Sequence, residues 1–279
     1  MTFSSKDAIT IAEMLADVAQ REVMPRFRKV RELEVREKTS SFDVVTDADL
    51  AAERAISESL SQLFPGAAII GEEKAARDAT VLEGFASAEL AFIVDPIDGT
   101  KNFVSGLPLF GIMVAATIRG EIVLAAIHDP VCGDTALAVR GEGAWLEADG
   151  RPRIELHVAP AVPVSEMNAI IGTNFLPEPL RTTVNGNLSR LGMSSWLRCA
   201  AHEYRLVAAG HCDLLFYNKL MPWDHAAGWL LHREAGGYSA HFDGSAYRPD
   251  HLTGGLICAP DKESWERARQ TLFQPRSTE

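Results

Sequence analysis

The sequence has no run of basic residues, no cysteine pair at CxxC spacing, no stretch of roughly 18 apolar residues and no internal repeat. Each absence removes a class of protein. Lys and Arg number 27 against 38 Asp and Glu, a net charge of −11, and no basic patch exists to track a phosphate backbone, so no nucleic-acid partner is expected. The four cysteines, Cys132, Cys199, Cys212 and Cys258, stand far apart, which argues against a zinc cage or a disulfide framework and for buried free thiols. No window is long enough to span a bilayer, and the opening MTFSSKDAITIAEML lacks a basic segment followed by an apolar one. A cytoplasmic protein with no membrane partner is therefore expected. Low-complexity tracts and Pro/Ser-rich linkers are also missing, so any division into domains must be compact.

What is present is a chain of 279 residues, 47% hydrophobic and 23% charged, enough for one large core or two closely packed subdomains. Helical spacing of Ile9, Ala12, Leu15, Ala16, Ala19 and Val23 predicts a helix from residue 4 to about 29, and Leu50, Ile56, Leu60 and Leu63 predict a second over 48–64. Short strands follow at 67–70 and 91–94. GIMVAATI, the Arg119-Gly120 turn and EIVLAAIHDP then read as a hairpin, continued as a meander by CGDTALAV and GAWLE. From Ala169 strands alternate with helices. The expected fold is α+β, with an antiparallel first half over 1–155, an alternating second half over 156–279, and a soft boundary near 150–165.

The most informative stretch is AFIVDPIDGTKNF, residues 91–103, where an apolar strand delivers Asp95 and Asp98 at its end. Pro96 cannot donate to a ladder and favours extended geometry in the residue before it, so the strand is expected to stop at Asp95. Gly99 permits a tight or left-handed turn, and amides near Gly99 and Thr100 would face an anion if a short helix begins there. Three other acidic clusters also sit at element ends: IIGEE with Glu72 and Glu73, DVVTDAD with Asp43, Asp47 and Asp49, and MPWDHAAG with Asp224. Capping or a solvated face explains any one of them. Four such clusters with no matching basic cluster indicate an oxygen-ligand site for divalent cations, for which magnesium is the best fit. The separation of Asp95 and Asp98 by three positions, with Pro96 between, disfavours the DxDxT nucleophile of haloacid-dehalogenase phosphatases.

IIGEE, DPIDGTKNF and PWDHAAG followed by REAGG, in that order, resemble the inositol monophosphatase family of metal-dependent sugar and nucleotide phosphatases over roughly residues 6–260. The resemblance implies a layered α/β/α/β/α fold, commonly a homodimer, that hydrolyses a small phosphorylated metabolite with two to three Mg²⁺ ions and is often lithium-sensitive. It further implies Glu72, Asp95 and the Ile97 carbonyl as ligands of a first ion, and Asp95, Asp98 and Asp224 as ligands of a second. A third, looser ion would lean on Glu72 and water. Thr100 and Asp49 match the residues that help activate the attacking water, and Lys38 matches a basic residue near the metals. Asp43 is expected to be structural.

The chain departs from the family in two places. Tyr217 stands where inositol-specific members carry a glutamate for ring hydroxyls, and Arg198-Cys199 stand where many relatives have Gly followed by Ser or Thr. Arg198 would bind a second phosphate or carboxylate, or simply face solvent or pair with an acid. Asp98, Gly99, Thr100, Lys38, Arg198, Tyr217 and Asp224 are the expected substrate contacts. His202 and His225 are expected to be hydrogen-bonded structural histidines. The reading is a Mg²⁺-dependent phosphomonoesterase acting on an inositol-like, sugar or polyol phosphate. The alternatives are a 3′(2′),5′-bisphosphate nucleotidase, a histidinol-phosphate phosphatase, or a regulatory protein that keeps the fold without turnover.

Overall fold

The structure, a computed structural model, describes residues 2–29, 35–40 and 43–275, without the side chains of 37–44. Helix α1 (Ser5–Val18) opens with a capping box between Ser4 and Asp7 and runs through a π-turn at Ala19–Val23 into α2 (Met24–Phe27). Strands β1 (Val35–Ser40) and β2 (Asp43–Thr46) form a hairpin that leads into α3 (Asp47–Leu63), capped by Thr46 and Asp49. Next come β3 (Ala68–Gly71), α4 (Glu72–Arg77), β4 (Ala91–Asp98) and α5 (Thr100–Val104). A meander follows: β5 (Gly111–Ile118), β6 (Glu121–Asp129), β7 (Asp134–Val139), β8 (Gly143–Ala148) and β9 (Ile154–Glu155). The remainder alternates β10 (Asn168–Ile171), α6 (Leu180–Asn187), β11 (Met193–Ser195), α7 (Ala200–Ala208), β12 (Leu214–Tyr217) and α8 (Pro222–Glu234). It closes with β13 (Tyr238–Ala240), β14 (Leu256–Ala259) and α9 (Lys262–Phe273).

Alternation along the strands builds the layers. In β4, Phe92 and Val94 face the core shared with α1 and α3, while Ile93 faces the opposite core, shared with α7 and α8. The seven-stranded sheet, ordered β3-β4-β5-β6-β7-β8-β9, is antiparallel except at β3–β4. The five-stranded sheet, ordered β11-β10-β12-β14-β13, turns Ile170, Leu215 and Cys258 toward α7 and α8, and Ile171, Leu214 and Phe216 toward α6 and α9. The result is an α/β/α/β/α sandwich with α7 and α8 in the central layer. Among the described residues no helix is long and apolar enough to cross a membrane.

One expectation is corrected: β4 does not stop at Asp95 but runs through Pro96 to Asp98. Asp95 pairs with Met113 and Asp98 with Gly111, so three steps on β4 oppose two on β5. This is a bulge, and its unpaired residues tolerate the missing N–H of Pro96.

Candidate functional site

In a regular strand, residues three apart point to opposite faces. The bulge cancels that. Asp95 lies on the face of Ile93, Ile97 returns to the α1/α3 core, and Asp98 comes round to meet α7. Both aspartates thereby face the central helical layer, where Asp224 sits in the first turn of α8 behind Pro222. One ligand oxygen from each of Asp95, Asp98 and Asp224 lies within 4.8 Å of the others. Glu72, the first residue of α4, adds its charge to this cluster: it acts on both Asp98 and Asp224.

Crowding shows in the protonation equilibria. Burial pushes the Asp98 carboxyl up to about 6, opposed by its bonds from Cys199 and the Ala201 amide. Asp224 is raised well above the ordinary range, first by burial and then by the charges of Glu72 and Asp98. An all-oxygen donor set that resists ionising together is chemically suited to a hard divalent cation, whose charge would offset the repulsion.

Each carboxylate is positioned by neighbours. Asp98 Oδ2 accepts from Ala201 N (2.6 Å) and from Cys199 Sγ (3.0 Å). Glu72 follows Gly71, where a Cβ would come 2.4 Å from the Glu53 carboxylate, and Glu53 itself accepts from the amides of Glu73 (2.7 Å) and Lys74 (2.9 Å). Asp49 spends Oδ2 on the Thr46 amide and hydroxyl, and its Oδ1 lies 3.1 Å from Thr100 Oγ1. Thr100 Oγ1 also lies 2.9 Å from the Ile97 carbonyl, so its single proton serves one of two acceptors. Gly99 is left-handed (φ 83°), and a Cβ there would meet Leu109 O at 2.8 Å and Cys199 Sγ at 3.1 Å. The Lys38 and Asp43 side chains lie outside the described residues.

The structure thus brings Glu72, Asp95, Ile97, Asp98, Gly99, Thr100, Asp49 and Asp224 into one region. Arg198 sits beside it, next to Cys199, exposed and with a left-handed backbone (φ 59°). That is the conformation a glycine adopts without cost. Tyr217 is placed differently from a simple substrate contact. Its hydroxyl donates to Glu203 Oε2 (2.8 Å) and its ring stacks on Tyr204 at 5.4 Å. Burial pushes the Glu203 carboxyl up to about 7.

Glu203, Asn102 and Lys219 were not legible as site residues. Glu203 and Asn102, at 1% and 0% exposure, occupy polar positions of helical segments, and only the tertiary fold turns them inward. Asn102 Nδ2 donates to the carbonyls of Leu109 and Leu197, both at 2.9 Å. The histidines are structural as expected: His225 bridges Tyr204 Oη (3.1 Å) and the Lys219 carbonyl (2.9 Å), and His202 reaches Phe110 O at 3.2 Å.

A family model for the inositol monophosphatase family matches residues 5–275. The chain belongs to that family. An inositol-1-monophosphatase of Mesorhizobium japonicum is 34% identical over 272 residues, covering 93% of each chain. A protein of Pseudomonas aeruginosa named Nus factor SuhB is 33% identical over 269 residues, covering 89% of this chain and 90% of its own. Among solved structures, the SuhB protein of Bartonella henselae superposes with a TM-score of 0.82 at 27% identity, covering 96% of this chain and 99% of its own. An inositol monophosphatase of Thermotoga maritima gives 0.79 at 26% identity, covering 96% and 97%. The layered sandwich is the architecture of inositol monophosphatase family members.

Proposed function

We propose that the protein is a Mg²⁺-dependent phosphomonoesterase acting on a small phosphorylated metabolite. The observation that carries this is the convergence of Asp95, Asp98 and Asp224 within 4.8 Å, beside a threonine hydroxyl that is paired with a buried carboxylate. Asp95, Asp98 and Asp224, with Glu72 and the Ile97 carbonyl, would hold two to three ions. Bound Mg²⁺ would supply positive charge to the phosphoryl oxygens and lower the pKa of water. The chain's own groups do the positioning. Thr100 Oγ1 can accept a hydrogen bond from the attacking water while directing its own proton to Asp49 Oδ1, so a water proton has a path to a carboxylate. Because Asp49 Oδ2 is tied to Thr46, that acceptor is fixed in place.

The test is phosphate release from inositol 1-phosphate, histidinol phosphate, fructose 1,6-bisphosphate and glycerol 2-phosphate, in Mg²⁺ and in EDTA. Mg²⁺-dependent release is expected, with a loss of at least about 100-fold in Asp95→Asn and Asp224→Asn at unchanged fold. Activity retained in either variant refutes the ligand assignment. The family likeness also supports a homodimer in the cytoplasm, and sedimentation equilibrium checks the dimer.

A second reading is favoured by the relatives named Nus factor. On that reading the protein binds a partner without turnover, and the expectation of no nucleic-acid partner would need revision. It predicts Mg²⁺ binding with no phosphate release from any ester.

A further inference from the structure

Strands β11, β10 and β12 run parallel, so the chain leaves all three at one edge of the five-stranded sheet. Ser195 and Leu215 both pair with Ile170, which makes them level. Arg198 follows three residues after Ser195, and Lys219 four residues after Leu215. Two strand spacings, roughly 10 Å, separate Ser195 from Leu215, so the two loops that carry Arg198 and Lys219 leave the sheet within reach of one small anion for two long cationic side chains. Ligands of sheets with parallel strands favour this carboxyl edge.

Both cations adjoin the acidic cluster. Arg198 precedes Cys199, whose Sγ touches Asp98, and the Lys219 charge acts on Asp224. Both are exposed, and neither forms an ion pair among the described residues. The Lys219 ammonium lies 5.7 Å from the ring centroid of Phe175, which is 58% exposed, and Trp196 is 40% exposed beside Arg198.

The arginine is also held in place deliberately. On its amino side, the Leu197 amide donates to Glu203 Oε1 (3.0 Å) and the Leu197 carbonyl accepts from Asn102. On its carboxyl side, the Cys199 carbonyl accepts from the Glu203 amide at 3.1 Å. Two buried polar side chains thus clamp a turn whose exposed apex is an arginine in the left-handed region, where glycine would be strain-free. A solvated surface arginine needs no such arrangement. The Lys219 carbonyl is fixed in turn by buried His225.

We propose that Arg198 and Lys219 form a subsite for a second anionic group on the substrate, a carboxylate or a further phosphate on the alcohol being released. This rests on the phosphatase reading above. The subsite selects against neutral polyol phosphates and against esters of amino alcohols, whose ammonium group the two cations repel.

The experiment compares kcat/KM in Mg²⁺ for two matched pairs: 2-phosphoglycerate against glycerol 2-phosphate, and adenosine 3′,5′-bisphosphate against adenosine 3′-phosphate. Wild type is expected to favour the more anionic member at least about tenfold in one pair, mainly through KM, and the pair that shows it separates carboxylate from phosphate. Arg198→Gly, whose glycine suits the backbone, and Lys219→Ala should each bring that ratio toward one, with Arg198→Lys retaining part of it. Ratios within twofold in both wild-type pairs, or ratios the variants leave unmoved, overturn the subsite. If none of the four esters is cleaved, the phosphatase reading is decided by the panel above, and calorimetric binding of these same esters decides the subsite. A binding preference erased by Arg198→Gly upholds it; equal binding, or a preference that survives, refutes it.

Discussion

Cys199 is a thiol that behaves as a hydrogen-bond donor. Burial and the Asp98 carboxylate push its ionisation well above the usual range, so the group stays S–H and points at Asp98 Oδ2. Its effect is to orient a proposed metal ligand, in the way outer-shell partners do. Cys199→Ala is expected to raise the Mg²⁺ concentration for half-maximal activity about tenfold, while Cys199→Ser keeps a donor and stays closer to wild type; a Mg²⁺ titration of the two variants reads the difference. Arg198 makes a prediction of the opposite kind. A non-glycine residue in the left-handed region costs about 1–2 kcal/mol, and glycine returns roughly 0.5–1 kcal/mol of that as extra freedom in the unfolded chain. Arg198→Gly should therefore stabilise the fold by up to about 1 kcal/mol in a urea titration.

At the scale of elements, the bulge in β4 is what turns a sequence spacing of three into two aspartates on one face. The carboxylates themselves were legible, because Asp-Pro-Ile-Asp-Gly is ordinary for a turn taken alone but is one of four acidic clusters at element ends with no matching basic cluster. Their geometry was not, because Pro96 signals a strand end to any local reading, and only the pairing of Asp98 with Gly111 shows that the strand resumes. The helices of the outer layers were legible for a similar reason: α1 and α3 each bury one stripe, so their periodicity is strong. Helix α8 is buried over most of its surface, from Pro222 to His232, and its spacing carries little pattern; its first-turn proline and Asp224 gave it away instead. Glu203 stayed invisible because a glutamate on a helix reads as solvent-facing until a sheet is packed over it.

The tightness of this central layer is testable. At Gly228 a Cβ would fall 2.0 Å from the Tyr204 ring, which is wholly buried and stacked on Tyr217. Gly228→Ala is expected to cost about 2–3 kcal/mol by overpacking. It should also displace the Tyr217–Glu203 pair, so that substrate KM moves together with stability.

For the whole molecule, pH acts through histidines sealed in the core. Burial lowers His232 to about 4, its Nδ1 lying 2.8 Å from Ser239 Oγ. The unfolded chain takes up a proton near pH 6.5, whereas the folded chain resists until about 4. The stabilisation from keeping His232 neutral is thus complete above pH 6.5 and is lost as pH falls toward 4, at up to about 1.4 kcal/mol per pH unit. His128, also lowered to about 4 by burial and then by Arg205, acts with the same sign. Glu203, raised to about 7, acts with the opposite sign between about 4.5 and 7, so the net slope is a difference. Comparing wild type with His232→Gln between pH 4.5 and 6.5 isolates the histidine, and the variant should show the shallower acid-side loss of Tm.

The proposed ligands are divided between the end of a sheet and the start of a helix in the layer pressed against it. Asp95 and Asp98 travel with β4, Asp224 with α8, and Glu72 with α4. An ion held by all of them would act as a rivet across the interior, adding to the apolar packing and to hydrogen bonds such as Asp98–Ala201 that already join the layers. Occupancy would then set how firmly the sandwich is closed: at a hundredfold excess over its dissociation constant the rivet adds about 2.7 kcal/mol, and a chelator removes it. Starved of the ion, the protein would lose mechanical cohesion and chemistry together.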